Sequence, residues 1–583
     1  MYVCAVAPRN TGAMHVTRIV TRRNGREYVS HLVRQSYRED GKVKHRTLAN
    51  LSSLPQTAID AVSGILSGAN IGNLDQALAI ERSLPHGHVV AVLGMLRRLG
   101  LERMLDRTPS RQRDLCVGMI VARVLGLGSK LATTRSWTES TLATSLGVED
   151  ATADDLYAAM DWFVKRQPYI EQQLAKQHLT NGVLVLYDLS SSYMEGRHCS
   201  LAKLGYSRDG KRGTLQIEYG VVTDAEGRPI AVEVFEGNTS DPATVATQVT
   251  KIKERFGLSD VVIVGDRGML TSTRIEKLKE VGGIHWVSSL RSPQIRALME
   301  AGAFQMSLFD ERSLVAITHP DYPGERLMVC RNPRLAEERA RKREDLLSAT
   351  EAKLAPIMAS VEAGRLNGES KIGLKVGAVI NKYKVAKHLD LEITDTRLVV
   401  TRKQDEITAE AALDGLYVIR TSVDVDRLND PDVVRTYKRL AQVERVFRGF
   451  KSSDIEVRPI HHRADDRVRA HILLCMLAYY VQWHLERAWA PLIFRDEQRP
   501  ELDDPVAPAR RSDDALAKVF KQEHGDGSPV HSLRTLLRAM ATLTKNRVRP
   551  ANGVTAATFD MTSTPTALQA RALSLLDLSR ASL

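Results

Sequence analysis

Two short, uninterrupted apolar runs constrain the fold of this chain more than any other feature. Val183–Tyr187 reads Val-Leu-Val-Leu-Tyr, and Val261–Val264 contains only valine and isoleucine. A continuous run of this length is expected of a strand that is buried on both faces of a sheet. Between them lie two alternating runs, Leu215–Thr223 and Pro229–Glu236, which a turn at 224–227 joins as a predicted β-hairpin. The sequence therefore predicts an α/β fold.

Helical periodicity follows the hairpin and the second apolar run. Apolar residues recur every three or four positions over Pro242–Phe256 and Ser272–Val281, and the strand-like His285–Ser289 follows the second of these helices. The predicted order is three strands, helix, strand, helix, strand. This order resembles the α/β sheet of ribonuclease H-like proteins.

Changes of pattern along the chain predict six segments. They are a β-hairpin element at 1–52, a helical and DNA-binding domain at 53–178, the first part of the core at 179–289, an inserted β-rich domain with one long helix at 290–430, the last core helices at 431–495 and a C-terminal tail at 496–583. The helical domain contains the patterns His88–Leu105, Asp114–Leu125 and Asp154–Gln173. We expect this domain to stand apart from the sheet and to place helices in a DNA groove.

Composition limits the kind of protein and of partner. The chain has 583 residues, with 43% hydrophobic and 26% charged residues, which is typical of a folded protein of several domains. Its net charge of +12 favours a polyanionic partner, although many basic proteins bind no nucleic acid. The five cysteines lack the paired spacing of zinc or redox motifs, and residues 1–30 contain no long apolar run. We therefore expect a cytoplasmic protein with no membrane segment.

Two aspartates directly follow the apolar strands. Asp188 comes after Val183–Tyr187, and Asp266 lies two residues beyond Val261–Val264. Ligands of open α/β sheets bind at the carboxyl ends of strands, so both carboxylates are candidate site residues. The alternative is that each aspartate only opens a turn or caps the next helix.

A third acidic residue lies on a predicted helix, Val434–Lys451. Tyr437, Leu440, Glu444 and Lys451 are spaced at offsets of 0, 3, 7 and 14, which places them on one helix face. The alternative is an ordinary amphipathic helix with a salt-bridged, solvated edge.

Four motifs together resemble a known family. They are Tyr187-Asp188-Leu189-Ser190-Ser191-Ser192, Gly237-Asn238-Thr239-Ser240-Asp241, Gly265-Asp266-Arg267-Gly268-Met269, and Tyr437 through Lys451. In this order they resemble the DDE transposases of bacterial insertion sequences, in particular the IS-four-like group, whose last motif is a Tyr, Arg, Glu, Lys signature. The signature Arg is replaced by Leu440, with Arg439 one residue earlier.

The resemblance implies both a catalytic site and its ligands. Asp188, Asp266 and Glu444 would hold two Mg²⁺ ions, with Mn²⁺ able to substitute, and activate water and then a 3′-hydroxyl for attack on DNA. Tyr437, Lys451 and Arg439 would contact DNA phosphates. The partners would be the terminal inverted repeats and target DNA, bound by a homodimer in the bacterial cytoplasm. Two alternatives remain, a nuclease of this fold without strand transfer and an inactive DNA-binding repressor.

We predict that Asp188, Asp266 and Glu444 act as one metal-binding unit. Replacing any one with Asn or Gln should abolish strand cleavage and leave DNA binding largely intact, because only the metal-bound charge is lost. The triple variant should be scarcely worse than a single one. Glu456→Gln, five residues beyond Lys451, is the control and should retain cleavage. Near-normal cleavage by Glu444→Gln would contradict the assignment.

Overall fold

The computed structural model describes residues 11–23, 26–39, 42–66, 78–126, 128–196, 198–309, 312–452, 455–550 and 558–578. The strands are β1 (Thr11–Arg23), β2 (Arg26–Glu39), β3 (Lys42–Asn50), β4 (Leu78–Pro85), β5 (Leu184–Tyr193), β6 (Lys203–Leu204), β7 (Leu215–Thr223), β8 (Pro229–Glu236), β9 (Val261–Val264), β10 (Ile284–Ser289), β11 (Leu314–Ile317), β12 (Arg326–Arg331), β13 (Leu389–Ile393), β14 (Leu398–Arg402), β15 (Leu416–Thr421), β16 (Thr544–Pro550) and β17 (Phe559–Thr562). The helices are α1 (Gln56–Leu66), α2 (Gly87–Arg98), α3 (Leu101–Leu105), α4 (Arg111–Leu125), α5 (Lys130–Ser136), α6 (Leu142–Leu146), α7 (Ala153–Val164), α8 (Gln167–His178), α9 (Asp241–Thr250), α10 (Ser272–Val281), α11 (Ser292–Glu300), α12 (Pro333–Glu362), α13 (Glu369–Tyr383), α14 (Gln404–Ala411), α15 (Asp430–Lys438), α16 (Leu440–Lys451), α17 (Asp465–Ala488), α18 (Asp513–Lys521), α19 (Leu533–Ala541) and α20 (Ala567–Ser574).

A nine-stranded sheet forms the centre of the larger part of the chain. Strand β7 pairs antiparallel with both β8 and β5, β5 pairs parallel with β9, and β9 pairs parallel with β10. Across the sheet these five strands lie in the order β8, β7, β5, β9, β10. The first of them in the chain, β5, is therefore the central one. This arrangement confirms the predicted ribonuclease H-like core, and the hairpin β7–β8 has the predicted bounds.

The segment 290–430 differs from the separate β-rich domain that the sequence predicts. Its strands β11, β12 and β15 extend the central sheet beyond β10. Strand β10 would otherwise present unpaired backbone groups along one edge, and β15 satisfies them. The remaining part, α12, α13, α14 and the hairpin β13–β14, packs around a small core of its own. Helix α12 has the predicted bounds, but α11, α13 and α14 make the insertion more helical than predicted.

The sequence predicts that the helical domain stands apart from the sheet, but the helices between 85 and 178 share the core of the sheet. Their buried side chains, such as Leu96, Ile120 and Phe163, belong to the same hydrophobic core as Tyr219 of the sheet. Helix α17, which is buried along most of its length, packs against both these helices and strand β8. The physical reason is that these helices have apolar residues to bury and the sheet has an open face to cover.

Several helix boundaries also differ from prediction. The pattern His88–Leu105 divides into α2 and α3 at Gly100, where φ is 71°. The pattern Asp154–Gln173 divides into α7 and α8, and the first turn of α8 contains Pro168. The predicted helix Val434–Lys451 is two helices, α15 and α16, which meet at Arg439. Nothing in the sequence at that junction, which lacks Gly and Pro, explains the break.

A second compact unit comprises Met1–Leu84 and Thr544–Ser563. Its first sheet has the order β1-β2-β3, so the predicted hairpin gains a third strand, while Asp40 and Gly41 of the predicted turn lie outside the described residues. Its second sheet has the order β17-β16-β4 and joins the early part of the chain to the late part. The predicted tail, 496–583, therefore supplies strands β16 and β17 to this unit.

Within the described residues, no single helix has the length and hydropathy of a membrane span. One pair of helices bent by 89°, α4 with α5, reaches that length and hydropathy only when the two are counted together.

Gly220 provides a stability test of the central sheet. The ring of Tyr187 on β5 lies against Gly220 on β7, so a Cβ there would overlap the ring. Gly220→Ala should lower the free energy of unfolding by about 1–3 kcal/mol through overpacking. Chemical denaturation followed by circular dichroism measures the change.

The control is Gly377→Ala on helix α13, where a Cβ would meet no atom within 4 Å. Because alanine favours the helix interior, this variant should be unchanged or more stable by about 0.5–1 kcal/mol. Equal losses in the two variants would contradict the close packing at Gly220.

Candidate active site

The parallel register of β5 and β9 brings two of the candidate residues side by side. Leu184 pairs with Val262 and Leu186 with Val264. Asp188 and Asp266 each lie two residues beyond the last of these pairs, and the negative charge of Asp266 acts on Asp188. The sequence prediction that Asp188 ends its strand is wrong, because β5 continues to Tyr193 in its pairing with β7. Strand β9 ends instead, and this exposes one side of Asp188.

Asp266 combines a structural role with an available oxygen. Its Oδ1 accepts hydrogen bonds from the backbone N–H groups of Gly268 and Met269, both at 2.9 Å. This is the turn-capping role that the sequence left open as an alternative. Oδ2 makes no hydrogen bond within the described part of the chain. The fixed carboxylate can therefore cap its turn and still bind a cation.

The pKa of Asp188 is affected by the other two candidate carboxylates. It is partly buried, and this burial raises its pKa to about 7. The negative charges of Asp266 and Glu444 act in the same direction, while the N–H of Leu189, which donates to Oδ1 at 2.8 Å, and the guanidinium of Arg208 oppose the rise. The charges of Asp266 and Glu444 therefore both act on Asp188.

Helix α16 presents Glu444 from above the sheet. It packs through Val443, Val446, Phe447 and Phe450, which are buried. The rings of Phe447 and Phe450 contact that of Tyr219, with centroid distances of 5.8 and 6.2 Å. Glu444 itself is exposed. Among the described residues, no group of three His, Cys, Asp or Glu side chains could hold a metal ion, so Asp188, Asp266 and Glu444 do not form an assembled metal site in this structure.

Lys451 lies near the trio but is already paired. Its Nζ lies 2.9 Å from Oδ1 of Asp209, whose side chain is 2% exposed and also pairs with Arg458. Burial lowers the pKa of Lys451 to about 8, and the positive charge of Arg208 contributes to the lowering. In this structure Lys451 therefore neutralises a buried aspartate of the same chain.

The other two predicted DNA contacts have different surroundings. The hydroxyl of Tyr437 lies 2.7 Å from that of Ser289, and burial raises its pKa, as does the nearby charge of Asp266. Arg439 is exposed at the junction of α15 and α16. Tyr437 thus lies with the carboxylates, whereas the structure does not bring Arg439 into contact with them.

Sequence patterns did not identify a second charged cluster next to the trio. Arg208 pairs with Glu218 and, at 2.5 Å, with Asp241. Burial raises the pKa of Glu218 to about 7 even though Arg208 opposes the rise. A Cβ added at Gly268 would lie 3.3 Å from Asp266 and 3.8 Å from Asp241, so these two carboxylates flank the same glycine. The sequence offers a signal for Asp241, because this residue belongs to the second of the four motifs. It offers none for Glu218, which is one polar residue in a strand of alternating pattern.

Comparisons with known proteins give two family matches. A profile described as "Transposase DDE domain" matches residues 195–481, and one described as "IS1634 family transposase, N-terminal domain" matches residues 17–82. No curated protein matches the chain. Among solved structures, a cryo-EM structure of the piggyBac transposase synaptic complex with hairpin DNA is 10% identical, with a TM-score of 0.35, and the match covers 78% of this chain and 76% of that one. A likeness at this level carries no argument.

We predict that Asp188 makes the stability of the metal-free protein pH-dependent. Its folded pKa of about 7 exceeds the unfolded value, so the folded state binds the extra proton and is stabilised at low pH. This contribution is fully present below pH ~4 and is lost as the pH rises through ~7. Between pH 5 and 8, with a chelator present, the denaturation midpoint should therefore fall less for Asp188→Asn than for the unmodified protein.

Glu218→Gln is the comparison for this measurement. The pKa of Glu218 is raised to about 7 by burial, so its replacement should remove a separate part of the same pH dependence. If both variants retain the full dependence on pH, these two carboxyls do not titrate as described.

Proposed function

We propose that this chain, which belongs to the insertion-sequence DDE transposases, cuts DNA at the ends of its element and joins the ends to target DNA through Asp188, Asp266 and Glu444. Both matching family models are of transposases, which agrees with the function that the sequence analysis expects. The observation that supports the site assignment is the register of β5 and β9, beyond whose last pair Asp188 and Asp266 each lie two residues, together with the packing of α16, which bears Glu444, against β5.

Family membership implies a dependence on divalent metal, and the donor set fits a hard cation. Mg²⁺ is typically held by one or two carboxylates together with waters and substrate phosphate oxygens. Asp188 and Asp266 supply the carboxylates, and Oδ2 of Asp266 is available. We propose two Mg²⁺ ions, with Mn²⁺ able to substitute, and an open trio that DNA phosphate oxygens complete. Bound metal would activate the attacking oxygen and stabilise the leaving one.

The protein's own groups then have distinct tasks. Asp188 must lose its proton to bind a cation, and its raised pKa makes that step sensitive to pH near 7. Asp266 is held in place by its two backbone hydrogen bonds, so its carboxylate needs no reorganisation. Glu444, exposed on α16, can turn towards the pair when DNA is bound.

We assign DNA-phosphate contacts to Tyr437, Lys451 and Arg439. Tyr437 lies beside the carboxylates, and its hydroxyl can exchange Ser289 for a phosphate oxygen. Lys451 would have to leave Asp209 or contact DNA while paired with it. Arg439 is exposed and needs no rearrangement to reach a phosphate.

We further propose that the unit of Met1–Leu84 and Thr544–Ser563 recognises the terminal inverted repeats. Between residues 11 and 50 the chain carries nine Lys and Arg against three Asp and Glu, and the whole of β3 is exposed. Strands can read DNA grooves as helices do. The reaction would take place in the cytoplasm of a bacterial host, with the chain as a homodimer on its DNA.

A joining assay tests the proposed function. A labelled, pre-cut element end, a supercoiled plasmid and Mg²⁺ should give joined product with the unmodified protein, and none with Asp266→Asn. A gel shift on the same end DNA controls for binding, which this variant should retain. Cleavage of an uncut end without any joined product would instead identify a nuclease, and DNA binding without cleavage would identify a repressor.

A further inference from the structure

One face of helix α13, in the inserted segment, carries a stripe of exposed lysines. Lys371, Lys375 and Lys382 are exposed and stand at offsets of 0, 4 and 11, which places them in line along the helix. The opposite face, with Ile372, Val376 and Ile380, is buried in the small core of this segment. The helix orientation is therefore fixed by its apolar side, and the lysines must face solvent.

These lysines have no compensating charge. Residues 370–388 contain five lysines and no acidic residue. Within the described part of the chain, none of the three stripe lysines forms an ion pair, and Nζ of Lys382 lies 5.4 Å from the ring centroid of Tyr383. Lys371 and Lys375 are four residues apart, an arrangement in which like charges destabilise a helix. A face that accepts this repulsion is suited to an anion.

Helix α12 packs beside α13, and several of its charged residues form ion pairs within the inserted segment. Arg343 pairs with Asp414, and Arg402 on β14 pairs with Glu344 and Glu351. The exposed Arg341 and Lys342 each follow a glutamate by four residues, so an acidic residue lies near each of them on the same helix face. The charged residues of α12 therefore stabilise the segment, whereas those of α13 remain available to a partner.

The surface of α13 also allows close approach. Gly373 and Gly377 have open space where a Cβ would be, and the side chain of Leu374 is 78% exposed. From Lys371 to Lys382 the helix rises about 16 Å. Phosphates on one DNA strand advance about 3.4 Å each along the duplex axis, so this length matches several consecutive phosphates.

We propose that the lysine face of α13 binds the phosphate backbone of duplex DNA, independently of base sequence. This inference rests on the proposed function only in taking DNA as the substrate. The same chemistry would serve the element end or the target, which carry identical phosphates. Binding here would hold a duplex against the inserted segment while the carboxylates act elsewhere in the chain.

The test compares two sets of substitutions in the full-length protein. One variant carries Lys371→Gln, Lys375→Gln and Lys382→Gln, and the control carries Arg341→Gln and Lys342→Gln on α12. Fluorescence anisotropy over a salt series is measured with end DNA and with an unrelated duplex. Loss of three phosphate contacts should lower the magnitude of the log-affinity versus log-salt slope by about 2–3, and the α12 control should leave it unchanged.

Each outcome decides the matter. A reduced slope with both duplexes supports the proposal, whereas a reduced slope with end DNA alone overturns binding that is independent of base sequence. An unchanged slope with both, or an equal reduction in the control, overturns the proposal. Circular dichroism melting checks that the variants are folded, and the triple Lys→Arg variant should restore the slope. Asp188→Asn tests the proposed function and should keep the unmodified slope, so the two proposals fail separately.

Discussion

The parallel pairing of β5 with β9 is the constraint on which the site depends. Strand β9 is short, apolar and buried, and the part of β5 that pairs with it, Leu184–Leu186, is apolar, so packing fixes this register. Since β9 ends at Val264 while β5 continues to Tyr193, the pairing leaves Asp188 beside the turn that begins at Asp266. A slip of one residue would turn Asp188 to the opposite face of the sheet. The two carboxylates are adjacent because the strands beneath them have no other way to pack.

Adjacent acidic groups in a partly buried setting need positive charge nearby. The chain supplies it from the segment between β6 and β7, where Arg208 pairs with Glu218 and Asp241. Lys451 and Arg458 do the same for the buried Asp209. These pairs neutralise the residues around the trio and leave Asp188, Asp266 and Glu444 with net negative charge among themselves. Burial is the main cause of the raised pKa of Asp188, the charges of Asp266 and Glu444 add to it, and a bound cation would offset both.

The inserted segment shows how an open sheet edge changes a domain boundary. Alternation and length predicted a β-rich insertion and its one long helix, α12, from sequence. They did not indicate that β15 would pair with β10, because the pairing depends on an edge that only the folded sheet presents. The same holds for β4, β16 and β17, which form one sheet although hundreds of residues separate the first from the others. In both cases a segment that reads as independent is part of a larger sheet.

The sequence by itself predicted the core strands, several of the helices and three candidate carboxylates, because each depends on periodicity or on motifs within a short window of the chain. It also placed Glu444 and Lys451 on one helix edge, seven residues apart, which α16 retains. Only the tertiary structure decided that the helix breaks at Arg439, that Lys451 pairs with Asp209 and that Arg208 lies among the acidic residues. These features depend on contacts between residues far apart in the chain. Burial and charge at such contacts are set by the whole fold, and no local pattern encodes them.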